Sequence, residues 1–304
     1  MIVDSHHHFW DPTRRSYPWM GDELEAVRRP FGPDDLRPLL EGNGVDRTIL
    51  VQTIASVEET REFLDTAAAT DFIAGVVGWV DLTSPSVSDT LASLAGGMLV
   101  GVRHQVHDEP DERWLLRPEV LRGIAAVGEA GLVYDLLVRA RELPAALETV
   151  RRNRGVSFVI DHAAKPHIAG GSWDVDWEER LAPFSDEPNV ACKLSGLVTE
   201  ADWKSWTPEE LEPYVRRVVG WFGRQRCMFG SDWPVCLLAA SYAQVMDAMR
   251  HVTGFDDEIF GATACTIYGL PEARPKTLGE RFGDPGGPDP GEATSSGASA
   301  SVDA

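Results

Sequence analysis

Two histidines, His6 and His8, stand one residue apart near the start of the chain, in the run Ile2-Val3-Asp4-Ser5-His6-His7-His8-Phe9-Trp10. Successive side chains of an extended segment alternate between two faces, so His6 and His8 point one way and His7 the other. Two imidazoles on one face can grip a metal ion, or bind and polarise a substrate oxygen. An affinity tag would follow Met1 directly and run longer. Here a short β-branched run precedes the histidines and Phe9-Trp10 follows them, which predicts a place at the exit of a strand.

Other reactive residues stand at the ends of other apolar runs: Arg103 and His104 after Met98-Leu99-Val100-Gly101-Val102, His162 after Val156 to Asp161, and Asp232 after Cys227 to Gly230. His6, His8, His162 and Asp232 form a nitrogen- and oxygen-rich set suited to one zinc or manganese ion with a position open for water. A carboxylate beside that water can take its proton, which makes Asp232 the candidate general base. A second metal would need a bridging group. The run Leu132 to Val138 ends without Lys or His, so the set holds one ion at most. It can also work with none, since three imidazoles and an arginine can polarise a carbonyl.

Arg103 is read as a fork for a carboxylate or ring oxygen, with a salt bridge to Asp108 or Glu109 as the structural alternative. His104 is read as a substrate contact or as the acid for a leaving alkoxide. Lys165 divides in the same way as Arg103. Lys193 lies within an apolar run, where an unpaired ammonium is costly, so a carboxylate partner is expected. Trp10, Trp19 and Trp233 fall in predicted loops near these ends, where indole faces suit the C–H faces of sugars.

What must position these residues is a repeating architecture. Eight apolar runs recur, at Ile2–Ser5, Arg47–Gln52, Ile73–Val80, Met98–Arg103, Leu132–Val138, Val156–Asp161, Val190–Leu194 and Cys227–Gly230. Helical patterns separate them, clearest at Val57–Thr70, Pro118–Ala130, Leu143–Asn153, Pro208–Phe222 and Tyr242–His251. Continuous rather than alternating apolar strands indicate a sheet covered on both faces, and eight of them with intervening helices predict a (β/α)8 TIM barrel. Its strands' carboxyl ends form one mouth, where the reactive residues would gather. A doubly wound sheet is the alternative, without an early GxGxxG to support it. The barrel is expected over residues 1–282. A Gly/Pro/Ser/Ala-rich acidic tail follows over 283–304, too poor in apolar residues to order itself.

Composition narrows the partners. The chain has 304 residues, 43% hydrophobic, a formal charge of −20 and a pI near 4.7. That charge repels nucleic-acid backbones, and no basic stripe interleaves with aromatics. No apolar run approaches the length of a membrane span and no basic, apolar leader opens the chain. Cys192, Cys227, Cys236 and Cys265 show no CxxC spacing and read as reduced thiols. A soluble cytoplasmic protein acting on a small molecule is therefore expected, with the oligomeric state unassigned.

The blocks His6-His7-His8-Phe9-Trp10, Gly101-Val102-Arg103-His104, Asp161-His162-Ala163-Ala164-Lys165-Pro166, Lys193-Leu194-Ser195-Gly196 and Gly230-Ser231-Asp232-Trp233-Pro234 together resemble the amidohydrolase superfamily. Within it they are similar to the sugar-lactone hydrolases of the L-fuconolactonase-like group. The resemblance spans about Met1 to Pro271. It implies a barrel that opens a lactone ring, with His6, His8, His162 and Asp232 as the central site and Arg103 and His104 on the substrate. His107 departs from the block that follows Arg103-His104, where an uncharged polar residue is expected. Two other readings stand beside it: a metal-dependent decarboxylase of an aromatic or dienoic acid, and a non-catalytic metal-binding protein.

Overall fold

A computed structural model describes residues 1–270. Eight parallel strands follow one another around a single sheet: β1 (Val3–His7), β2 (Arg47–Val51), β3 (Ile73–Gly78), β4 (Leu99–His104), β5 (Val133–Leu136), β6 (Phe158–Ile160), β7 (Val190–Leu194) and β8 (Cys227–Phe229). Parallel neighbours need crossover connections, and helices supply them: α1 (Pro33–Asn43), α2 (Val57–Ala68), α3 (Val87–Leu94), α4 (Pro118–Glu129), α5 (Leu143–Arg152), α6 (Val175–Leu181), α7 (Leu197–Glu200) and α8 (Pro208–Phe222); α9 (Tyr242–Thr253) comes after β8. A last helix, α10 (Thr263–Tyr268), follows. The expected (β/α)8 barrel is therefore the observed fold. The boundary expected at 282 and the tail from 283 lie outside the described residues.

Closure is made by the segment after β8. Asp232 N donates to His6 O at 2.8 Å and His8 N to Trp233 O at 2.7 Å, which laces that segment to β1. Asp4 fixes the same seam from below, accepting from Ser231 N at 2.8 Å, Ser231 Oγ at 2.6 Å and Tyr242 OH at 3.0 Å. Apolar residues pack in two bodies. One lies between strands and helices, and the other fills the barrel with Val3, Ile49, Val51, Val77, Val133, Val159, Ala191 and Met228 over Tyr268 of α10.

β1 is longer than expected, running through His7, and it carries an irregularity that decides which way its histidines point. Asp4 pairs with Thr48 and His7 with Leu50, so three steps on β1 match two on β2. Such a bulge inserts one residue and reverses the inside–outside alternation. Val3 is inside; without the bulge Ser5 and His7 would follow it inward. With it, His6 and His8 face the interior, and His7 turns outward to Thr48 Oγ1 at 2.9 Å.

Candidate active site

The floor of the mouth is built from β1, β6 and the segment after β8. His6 Nε2 and His8 Nε2 approach to 3.1 Å. Asp232 Oδ1 lies 3.4 Å from His8 Nε2, 3.8 Å from His6 Nε2 and 3.9 Å from His162 Nε2. All four residues are buried. The histidine buried between strand and loop on this scale is no tag. Burial, foremost, holds the His6 and His162 imidazoles well below the usual histidine range, so both are neutral.

Of the four expected ligands, His6, His8 and Asp232 cluster closely enough to hold one divalent ion, whereas His162, 3.9 Å from Asp232, stands outside that cluster. Each ring's second nitrogen has a partner: His6 Nδ1 lies 3.3 Å from Asp161 Oδ1, His8 Nδ1 donates to Val51 O at 2.8 Å, and His162 Nδ1 meets Ser195 Oγ at 2.8 Å. A carboxylate, carbonyl or hydroxyl behind each imidazole is the arrangement that orients metal-binding histidines. It leaves the Nε2 lone pairs of His6 and His8 facing each other, an opposition that a cation between them relieves. Among His6, His8 and Asp232, spacings of 3.1–3.8 Å bracket the ~3.3 Å edge of a tetrahedral zinc site. One group competes: Arg103 Nη1 stands 3.2 Å from His6 Nε2.

Arg103 differs from expectation. It pairs with neither Asp108 nor Glu109, because it points inward from β4 and meets Asp161 Oδ2 at 3.0 Å, while Nε and Nη2 bond the Gln52 side chain and carbonyl. His104 is a further correction. It is the next residue on a regular strand, so it faces away from the mouth: it accepts from Trp79 Nε1 at 3.0 Å, donates to Glu109 at 2.8 Å and stacks on Trp114 at 4.2 Å. It does not line the cavity. Trp233 is likewise buried, packed edge-on to Phe31 at 5.3 Å, whereas Trp10 and Trp19 do line the cavity.

Above the floor opens a cavity of about 840 Å³. Its lining combines polar side chains, among them Gln105, His107, Asp108, Arg139, Lys165 and Glu200, with apolar ones, among them Trp10, Pro18, Trp19, Leu24, Ile54, Val235 and Leu238. Glu200 bridges two cations, taking Lys165 Nζ at 2.6 Å and Arg139 Nη1 at 3.0 Å. Sequence reasoning missed this bridge and Gln52. Neither has a local signature, because their partners come from other βα loops.

Beneath the floor the expected pairing of Lys193 is met twice over. Its Nζ contacts Asp135 Oδ2 at 2.6 Å, Asp161 Oδ1 at 3.0 Å and His6 Nδ1 at 3.3 Å. Burial pushes the Asp135 carboxyl up to about 6 despite the lysine. Asp161 is equally buried but shares Lys193, His6 and Arg103, and is held well below the usual carboxylate range.

Neutral buried histidines make stability depend on pH. Burial first, then the nearby Lys165, Arg139 and Arg103, push His107 down to about 3. An unfolded histidine protonates near 6.5, so between those values the unfolded chain binds more protons and acid favours it. Urea midpoints should fall from pH 7 to pH 5. His107→Gln should flatten that slope by roughly 1 kcal/mol per pH unit; an unchanged slope would show that His107 is not held neutral.

The chain's residues 3–270 match the amidohydrolase family model. The L-fucono-1,5-lactonase of Burkholderia ambifaria is 42% identical over 278 residues, 88% of this chain and 94% of that protein. That of Burkholderia multivorans is 38% identical over 285 residues, 89% and 96% of the two chains. A crystal structure of a Burkholderia multivorans amidohydrolase with bound zinc superposes with a TM-score of 0.86 at 37% identity, covering 89% of this chain and 100% of that one. With sequence and architecture matched from β1 to the end of the described chain, this protein belongs to the amidohydrolase family.

Proposed function

We propose that the protein hydrolyses a sugar lactone in the cytoplasm, L-fucono-1,5-lactone or a related six-membered aldonolactone. The carrying observation is the Asp232 carboxylate within 3.4–3.9 Å of imidazole nitrogens of His6, His8 and His162, at a cavity lined by both polar and apolar side chains. The activity of the two Burkholderia relatives supports it. So does the pairing of every lysine and arginine lining the cavity: Arg103 with Asp161, Arg139 and Lys165 with Glu200. Such walls favour an uncharged, hydroxylated ring over the carboxylate that a decarboxylase must clamp. Cytoplasmic placement rests on four free thiols, three of them buried.

His8 Nδ1 donates to Val51, so its Nε2 is a bare acceptor 3.4 Å from Asp232 Oδ1. Two acceptors at that spacing hold both hydrogens of one water and turn its lone pairs toward the substrate carbonyl. Asp232 takes a proton as the water attacks. Ser195 Oγ can donate to His162 Nδ1, which leaves His162 Nε2–H to meet the developing oxyanion, with the Arg103 guanidinium behind it. His6, His8 and Asp232 would hold the divalent ion, zinc or manganese, which when bound acts as a Lewis acid and acidifies water. The ring oxygen then departs and needs a proton.

The direct test is acid release, followed with a pH indicator, from L-fucono-1,5-lactone and a muconolactone. Release above the spontaneous rate from the sugar lactone is expected. Its absence, with proton uptake and carbon dioxide from a dihydroxybenzoate, would sink this reading in favour of decarboxylation.

Gly196 offers a second check, since it sits at φ +63° where an added Cβ would lie 2.6 Å from His162 Nδ1 and 3.1 Å from Asp232 Oδ2. Gly196→Ala should displace both side chains. We expect turnover to fall by about 100-fold and stability by about 1–3 kcal/mol, read from kcat and urea unfolding. Unaltered turnover would mean that the His162–Asp232 spacing does not matter.

A further inference from the structure

We propose that Arg103 and the divalent ion are alternative occupants of the His6 Nε2 lone pair, so that this arginine sets how tightly the barrel floor binds zinc. The proposal rests on the ion site of His6, His8 and Asp232 read above. A guanidinium has five N–H groups and no acceptor. All five are engaged in Arg103: Nε donates to Gln52 Oε1 at 3.2 Å, Nη2 to Gln52 Oε1 at 2.8 Å and to the Gln52 carbonyl, and Nη1 to Asp161 Oδ2 at 3.0 Å and to His6 Nε2 at 3.2 Å. The residue is 2% exposed, so an N–H that loses its acceptor has no water to turn to.

The two histidines of the site are therefore not equivalent. His8 Nδ1 donates to Val51 O at 2.8 Å, which leaves its Nε2 as an acceptor, and none of the five Arg103 bonds goes to it. Its lone pair is offered to an ion without a competitor. On His6, Nδ1 faces Asp161 Oδ1 and Lys193 Nζ, each at 3.3 Å, so Nε2 is the nitrogen turned toward His8 and Asp232. That nitrogen is the one the guanidinium already holds.

Arg103 must give up this lone pair before His6 can bind an ion, and one buried N–H is then stranded. The positive charge also stays close, because the bonds to Gln52 and Asp161 keep the guanidinium from swinging away. Both effects weaken binding, the first through an unsatisfied buried donor and the second through repulsion in a site shielded from water. A floor of the same ligands without the arginine would hold zinc more tightly.

Zinc dissociation constants, measured by competition with a chromophoric chelator, test this without reference to turnover. Zinc that a His8→Gln variant no longer binds defines the site. Arg103→Met removes donor and charge together and should bind that zinc about 100-fold more tightly than the wild type. Arg103→Lys keeps a cation for Asp161, which protects the fold, but an ammonium lacks the planar fork that reaches Gln52, Asp161 and His6 at once. Its affinity should rise about tenfold, and it carries the test alone if the methionine variant does not fold. Lys165→Met removes another cation of the cavity, one bonded to Glu200 rather than to the ligands, and should stay within about threefold of the wild type. A wild type that binds zinc as tightly as Arg103→Lys and Arg103→Met, or an equal tightening by Lys165→Met, would overturn the competition. Wild type and variants all lacking zinc that His8→Gln removes would instead overturn the ion site on which it rests.

Discussion

Asp232→Asn is expected to lower kcat on a sugar lactone by about 10²–10⁴-fold while changing stability by less than about 1 kcal/mol. The substitution is nearly isosteric, and its backbone cost is small because Asp232 sits at φ 56°, a region that Asn tolerates as well as Asp. Asp232→Ala would confound the result by placing a less tolerant residue there. Asn keeps the backbone N–H donated to His6 O, which closes the barrel seam. What changes is the group facing His8 Nε2: a carboxylate becomes an amide whose NH2 can donate to the ring, which removes both the base and one of the two acceptors proposed to hold the water. Metal analysis of the variant separates its two roles. Lost turnover with an unchanged zinc content assigns Asp232 to proton transfer, and lost turnover with lost zinc assigns it to the ion as well. Turnover near wild type would remove Asp232 from the mechanism.

Much of this was legible because a barrel converts sequence position into spatial position. An apolar run ending in a reactive residue places that residue at one mouth, so His162 and Asp232, 70 positions apart in number, could be paired with His6 and His8 before any coordinates. Alternation within a strand was also legible, and it gave the common face of His6 and His8. The face itself was not, because it depends on a bulge between Asp4 and His7 that no local residue announces. His104 shows the opposite case. Arg103 and His104 are consecutive on β4, so period two alone forbids both from facing the mouth, and the inward one is named by Gly101 and Arg103 sharing a parity. The short helices were missed as well: α3, α6 and α10 span only 8, 7 and 6 residues. So few residues hold less than three turns of periodicity, too little to stand out from a loop.

The buried charges below the floor carry the largest expected effect on stability. Lys193→Met should destabilise the protein by about 3–5 kcal/mol, because it leaves Asp135 and Asp161 buried without the ammonium they share. Asp161 retains Arg103 at 3.0 Å, so the burden falls on Asp135, whose other partner is the Tyr268 hydroxyl at 2.8 Å. Asp135 already sits at about 6 with the lysine present and will rise further without it. A carboxyl whose folded value exceeds its unfolded one binds more protons when folded, so stability falls as pH rises between the two. The variant should accordingly melt closer to wild type at pH 6 than at pH 8. Replacing Asp135 as well, as Lys193→Met with Asp135→Leu, removes the stranded charge and should recover most of the loss, since apolar groups replace a buried ion pair at little cost. A single variant as stable as wild type at pH 8, or a double variant no better than the single, would show that the pair does not carry the barrel's interior. If the double variant is stable but inactive, Lys193 serves the site rather than the fold: its Nζ lies 3.3 Å from His6 Nδ1, on the side of the ring opposite the cavity.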